Sequence, residues 1–250
     1  MRFHLLTIFP SIFDSYFNES IIKRAGANGL ISIQTHNLRD WATGKHRSVD
    51  DSPYGGGAGM IMRADIIYQA WKSITNGQNP ISSPGQDGKK INGQKGMRKN
   101  LKSKTILFSA KGRPWTQTLA RQYAELDNII MVCGRYEGID ERVNRFADEE
   151  ISIGPYVLTG GELPAMIVVD SIARLIPGVL GNQESLAEES YNNKIGNCEL
   201  KTVNYYEYPQ FTRPEVLEIC GKKCRVPKIL LSGDHKKIAD WRKNKVRSKK

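Results

Sequence analysis

Short apolar segments separated by helix-length stretches constrain this chain more than any other feature. Residues 3–8, 31–35, 105–109, 128–133 and 151–153 each read as a strand. Between them the apolar spacing turns helical. Phe13, Phe17 and Ile21 recur every four residues in a helix expected to begin near Ser11. Ile67, Trp71 and Ile74 share one face of another, and a third is expected around 117–125. Segment 162–176 is apolar on most sides, which predicts a buried or interface helix. Strands that alternate with helices need crossover connections, so the expected fold is α/β with a largely parallel sheet.

The pattern fails in two places. Residues 76–104 lose all periodicity and are rich in Gly, Asn, Ser, Gln and Lys, as expected of a flexible insertion inside a domain. After Pro177, Gly178 and Gly181 the chain turns polar and acidic, then aromatic and basic from about residue 204. The expected organisation is a first domain over 1–180, an interdomain linker over 181–193, and a small, mostly helical domain over 194–250. Its helices are predicted at 214–220 and 235–247.

The net charge of +11 is concentrated. Residues 221–250 carry +10 and residues 85–104 carry +6, leaving −5 for the remainder. A basic terminal domain attracts polyanions through counterion release, although a basic run alone is also an ordinary solvated surface. With 39% hydrophobic and 25% charged residues the composition is that of a globular protein, and no apolar run is long enough to span a bilayer. His4 and Pro10 interrupt the N-terminal stretch, so no signal peptide is expected. Four scattered cysteines in a chain of 250 residues suit reduced thiols and a cytoplasmic location, with no membrane partner.

Three glycine-rich segments are the candidates for chemistry: 46–60 (HRSVDDSPYGGGAGM), 133–142 (CGRYEGIDER) and 153–164 (IGPYVLTGGELP). The second follows a strand and the third precedes a helix, where open α/β sheets bind ligands. One such segment alone reads as a tight turn; three in one domain point to a site. None has the spacing of a phosphate or dinucleotide loop, so a small ligand held largely by backbone is expected. Cys220, Cys224 and His235 lack zinc-ligand spacing, and Cys133 at the end of an apolar strand reads as core. Asp170 and Arg174 lie four apart on an apolar helix, which fits an intrahelical ion pair or a substrate-facing role.

Taken in order, these segments resemble the bacterial tRNA (guanine-N1-)-methyltransferases of the knotted SPOUT superfamily. The matching stretches also include FHLLTIFP at 3–10, RLIPGVLG at 174–181, FTRPEVL at 211–217 and LLSGDH at 230–235, so the likeness covers nearly all of the chain outside 76–104. The resemblance implies a SPOUT-type parallel sheet with a deep trefoil knot. It implies S-adenosyl-L-methionine as cofactor, tRNA as substrate and a homodimer. The product implied is a methyl group on N1 of guanosine 37, next to the anticodon. By position, the cofactor contacts fall on Phe108, Gly134, Tyr136, Glu137, Ile153, Gly154, Pro155, Tyr156, Val157, Leu158, Gly160, Gly161 and Pro164. The family's response to magnesium has no assigned site here.

The general base implied by the resemblance falls on Glu189, where the family carries Asp; Glu184 and Glu188 lie beside it. A carboxylate there can take the proton that guanine N1 must lose, and a guanidinium such as Arg174 can stabilise charge spreading to the guanine oxygen. The family's Ser-Pro-Gln-Gly-Arg is here Ser109-Ala110-Lys111-Gly112-Arg113, which brings a cation to the expected cofactor pocket.

Overall fold

Residues 1–77, 101–181 and 208–245 are described in a computed structural model of the protein, together with the short strands at 194–195, 198–199, 205–206 and 247–248. The chain divides into two units, Met1–Gly181 and Asn182–Lys250. In chain order the first holds β1 (Arg2–Thr7), α1 (Asp14–Phe17), α2 (Ser20–Ala27), β2 (Ser32–Asn37), β3 (Asp50–Asp51), β4 (Ile61–Met62) and α3 (Ala64–Thr75). It continues with β5 (Ser103–Pro114), α4 (Gln117–Tyr123), β6 (Asn128–Val132), β7 (Glu149–Ser152) and α5 (Glu162–Ala173).

Five strands form one parallel sheet in the order β2-β1-β6-β5-β7. The expected parallel α/β architecture is therefore present. Alternate residues of the central strands feed two cores, as the period-2 geometry of a strand requires. Phe3, Leu5, Ile106, Phe108, Ile129 and Met131 pack with α2, α4 and α5. Leu6, Leu107, Ile130 and Val132 pack with α3, Leu38 and Val49. Because both faces are covered, the strands read as continuous apolar runs instead of alternating ones. From β5 the chain crosses to β6 on one side and later to β7 on the other. This makes the carboxyl end of β5 a topological switch point, the place where such sheets form crevices.

Two local expectations change. The helix predicted from Ser11 is not continuous. A 3-10 turn (Pro10–Phe13) leads into α1, and the chain then breaks, with Glu19 extended and Ser20, the first residue of α2, at φ 47°. The break rotates the second half, so Ile22 and Ala25 are buried with Phe13 while Ile21 is only partly covered. In the second unit, the helix expected over 214–220 is a strand. There β11 (Val216–Ile219) pairs antiparallel with β12 (Lys222–Arg225). Cys220 and Gly221, at φ 52° and 73°, close the pair as a two-residue turn with both centres left-handed, the geometry that matches strand twist.

The second unit also holds β8 (Lys194–Ile195), β9 (Cys198–Glu199), β10 (Tyr205–Tyr206), α6 (His235–Lys245) and β13 (Arg247–Ser248). Helix α6 lies within the range expected over 235–247. Asp234 accepts from the Lys237 backbone N–H (3.1 Å) and pairs with its ammonium (3.0 Å), which fixes the helix start. Trp241 packs against Phe211, and the Arg242 guanidinium lies 4.8 Å from the Tyr208 ring centre. The insertion lies outside the described residues except for its ends, and so do the linker residues 182–193.

A polar pair sits in the sheet at its β1–β2 edge. His4 Nδ1 and His36 Nε2 are 3.1 Å apart with stacked rings. A hydrogen bond between two imidazoles requires at least one neutral ring. Burial, then the His36 and Arg2 charges, lower His4 to about 4, and burial lowers His36 to about 4. The folded state thus prefers both rings neutral, while the unfolded chain takes up protons below about 6.5. This contribution to stability is full above pH 6.5, falls as the pH drops toward 4, and levels off below. Replacing His4→Gln should reduce the loss of stability between pH 6.5 and 4, by up to about 1.4 kcal/mol per pH unit relative to the parent. Urea unfolding at several pH values reads this directly. Parallel curves for the two proteins would show that the pair does not titrate this way.

Candidate active site

The carboxyl ends of β5, β6 and β7 open into a cavity of about 440 Å³, within the range of small-molecule sites. Three chain segments wall it. The first is 107–111, where the pairing of β5 with β6 ends and its register with β7 shifts. The second is 134–139, directly after β6, and the third is 151–161 with Pro164, running from β7 into α5. The residues singled out as cofactor contacts come together here. Phe108, Gly134, Tyr136, Glu137, Ile153, Gly154, Tyr156, Val157, Leu158, Gly160, Gly161 and Pro164 all line the cavity, and Pro155 does not.

A buried carboxylate holds two of these walls together. Glu162, in the first turn of α5, is only 1% exposed. Its Oε1 accepts from the Thr7 hydroxyl at the end of β1 (2.8 Å), and its Oε2 accepts from Arg135 Nε (2.9 Å). Arg135 also donates to the Thr159 carbonyl (3.3 Å), and its guanidinium lies over the Phe9 ring. The backbone closes the same gap, with Gly161 N–H donating to the Gly134 carbonyl (2.9 Å). A Cβ on Gly161 would sit 2.7 Å from Cys133 Cα, so only glycine lets the two strands of backbone approach this closely. Tyr136, at φ 60°, holds a conformation that non-glycine residues rarely adopt, and such strain concentrates at ligand sites.

The first glycine-rich segment plays a different part from the other two. None of residues 53–60 lines the cavity. It braces the 134–139 wall from behind. Glu137 N–H donates to the Met60 carbonyl (3.1 Å), Met62 N–H donates to the Gly138 carbonyl (3.0 Å), and Asp140 N–H donates to the Met62 carbonyl (3.0 Å).

Lys111 stands at the cavity as expected, and other residues around the site were missed at the level of sequence. Lys111 reaches Glu141 (3.3 Å) and Glu150 (3.8 Å), so the cation that replaces the family's Gln is paired with two acids at the cavity rim. Hydrogen bonds from Asn144 and Lys111 hold the Glu141 carboxyl below its ordinary range. Arg135, Glu141 and Glu162 all stand inside the quoted motifs, so the signal was present without its meaning. Cys133 is fully buried, and burial with the nearby Glu162 carboxylate pushes its thiol up, consistent with a core residue.

Arg174 lies at the C-terminal end of α5, where its N–H donates to the Asp170 carbonyl (3.3 Å), and it does not line the cavity. The Asp170 side chain faces Tyr16, whose hydroxyl is raised first by burial and then by that carboxylate. Glu189 lies outside the described residues. Among the described residues no group of three or more His, Cys, Asp or Glu is placed to hold a metal, and no helix is long and apolar enough to cross a membrane.

Removing the carboxylate in Glu162→Ala would leave the Arg135 guanidinium and the Thr7 hydroxyl without their acceptor. The expected cost is about 3–5 kcal/mol of stability. Chemical denaturation measures it, and a loss under about 1 kcal/mol would show that the network does not hold the walls together.

Comparison with known proteins agrees with the motifs. A family model described as tRNA (Guanine-1)-methyltransferase TrmD matches residues 1–250. A tRNA (guanine-N(1)-)-methyltransferase of Clostridioides difficile (strain 630) is 46% identical over 244 residues, covering 97% of this chain and 91% of that protein. One of Thermomicrobium roseum is 47% identical over 244 residues, 97% of this chain and 78% of its own length. One of Dictyoglomus turgidum is 42% identical over 249 residues, 100% of this chain and 86% of its own length.

Proposed function

The chain belongs to the tRNA (guanine-1)-methyltransferase family, and we propose that it transfers a methyl group from S-adenosyl-L-methionine to N1 of guanosine 37 in tRNA. The observation that carries this reading is the family match over residues 1–250, in register with a cavity built from the family's own glycine-rich motifs. The cavity suits the cofactor. Its walls combine glycines with apolar side chains, including Phe108, Ile153 and Leu158, and with polar and charged ones such as Lys111, Glu137 and Glu150. When bound, S-adenosyl-L-methionine supplies an electrophilic methyl group on a sulfonium.

The rest falls to the chain's own residues. Segments 134–139 and 151–161 hold and orient the ligands, since alignment accounts for much of the rate of such a transfer. Glu189 takes the proton from guanine N1, and Arg174 stabilises the charge that spreads onto the guanine oxygen. Residues 194–250, rich in Lys and Arg, supply affinity for the tRNA backbone. Magnesium has no assigned residues in this scheme.

The same reading includes a trefoil knot and a homodimer in the cytoplasm. Supporting the knot are the crossovers to both sides of β5 and the hydrogen bond that returns Gly161 onto Gly134. Supporting the dimer is an uncovered apolar face. Leu163 and Ile167 on α5 are exposed, and Val157 in the preceding loop is 88% exposed.

Methylation of unmodified tRNA transcripts bearing guanosine or adenosine at position 37 tests the function. Nuclease digestion and mass spectrometry should find 1-methylguanosine only with the guanosine transcript. A methyl group on a ribose, or on another base, would overturn the assignment. Within this reaction, Glu189→Gln should leave cofactor affinity within a few-fold and lower turnover about 10²-fold or more, whereas Glu188→Gln should be mild. If Glu188→Gln is the damaging change, the base is misassigned.

A further inference from the structure

The brace behind the cavity wall ends in an outward-facing aromatic ring. Strands β3 and β4 pair antiparallel, Asp50 with Met62 and Asp51 with Ile61, so residues 52–60 form the loop at the end of a two-stranded ribbon. Within it Gly56 N–H donates to the Pro53 carbonyl (3.2 Å) and Gly55 takes φ 86°. That is a tight turn with Tyr54 at its second position, and it needs glycine at the third. Tyr54 is 101% exposed, so its ring gains nothing from folding.

The ribbon is not a loose appendage. At its base Met62 forms a parallel bridge with Ile139, and the hydrogen bonds to Glu137, Gly138 and Asp140 fasten it to the cavity wall. Arg142 stands on the same wall segment, held by Asp140 (2.6 Å) with its guanidinium 70% exposed. The segment leading into β3 adds exposed Lys45, His46 and Arg47. A fully open aromatic face on a ribbon whose base adjoins an exposed guanidinium is chemistry that binds unpaired nucleobases and their phosphates.

We propose that Tyr54 is a stacking platform for an unpaired base of the RNA substrate, presented beside the cavity in which the methyl transfer takes place. The inference rests on the tRNA-methyltransferase reading for the identity of the RNA. It assigns part of RNA recognition to the first unit, in addition to the basic second unit. Hydrogen bonds tie the base of the ribbon to residues 137–140, so a base stacked on Tyr54 would be carried by the element that braces the cavity wall.

The test compares the parent with Tyr54→Ala and Tyr54→Phe in the full-length protein. The readouts are the Kd for an unmodified tRNA transcript, the Kd for S-adenosyl-L-methionine, and kcat and KM for methylation. Because the ring is fully exposed, neither variant is expected to perturb folding. Tyr54→Ala should weaken tRNA binding about 5- to 150-fold and raise the KM for tRNA, with cofactor affinity unchanged. Tyr54→Phe should stay within about twofold of the parent, because stacking needs the ring and not the hydroxyl. Tyr54→Ala binding tRNA as well as the parent would overturn the proposal, and so would Tyr54→Phe losing as much as Tyr54→Ala. A parent that binds tRNA with this pattern but transfers no methyl group would sink the functional reading and leave the stacking platform standing.

Discussion

Arg135 and Glu162 form the contact on which the enclosure of the cavity depends. A carboxylate that is 1% exposed would be costly in isolation, and its partners compensate for that cost from two remote parts of the chain. Thr7 belongs to the end of β1, Arg135 to the segment after β6, and Glu162 itself to the first turn of α5. Near the N-terminus of a helix a negative charge is also favoured by the aligned peptide dipoles. One buried group therefore couples the sheet, the second glycine-rich segment and the helix that follows the third. Its position explains why residues 134–139 and 151–161 face each other across a gap of fixed width.

Backbone proximity reinforces that coupling. Gly161 lies so close to Cys133 and Gly134 that even a methyl group is excluded, and a hydrogen bond runs across the contact. From behind, the β3–β4 ribbon adds its own hydrogen bonds to 137–140. The wall after β6 is thus gripped on both sides. A ligand pocket made of backbone gains from such support, because preorganised groups lose little freedom when the ligand arrives. The strained Tyr136 is tolerated in the same surroundings, since neighbouring contacts over-determine its conformation.

Charge is distributed to match these roles. Acidic and basic groups at the cavity rim, Lys111 with Glu141 and Glu150, neutralise one another locally. The excess positive charge lies elsewhere, in residues 221–250, which carry +10, and in residues 85–104, which carry +6. Those segments attract a polyanion, while opposite charges balance one another at the cavity rim.

Much of this was legible in the residues themselves. Apolar runs alternating with helical spacing determined the parallel α/β architecture, and the long glycine-rich strings determined the family and the residues that line the cavity. Both signals are local: a strand or helix period repeats within ten residues, and a glycine marks its own backbone demand. The tertiary structure decided what depends on partners far apart in sequence. It broke the first helix at Ser20 so that Ile22 and Ala25 reach the core, and it paired 216–219 with 222–225 as a hairpin. It also set the first glycine-rich segment behind the cavity wall instead of inside the cavity. In the sequence Glu162 stood out only as the first residue of the apolar segment 162–176. Only the order of the sheet, which brings the ends of β1 and β6 to the start of α5, made it the buried centre of the site, because the energy of a charge depends on the groups that surround it in space.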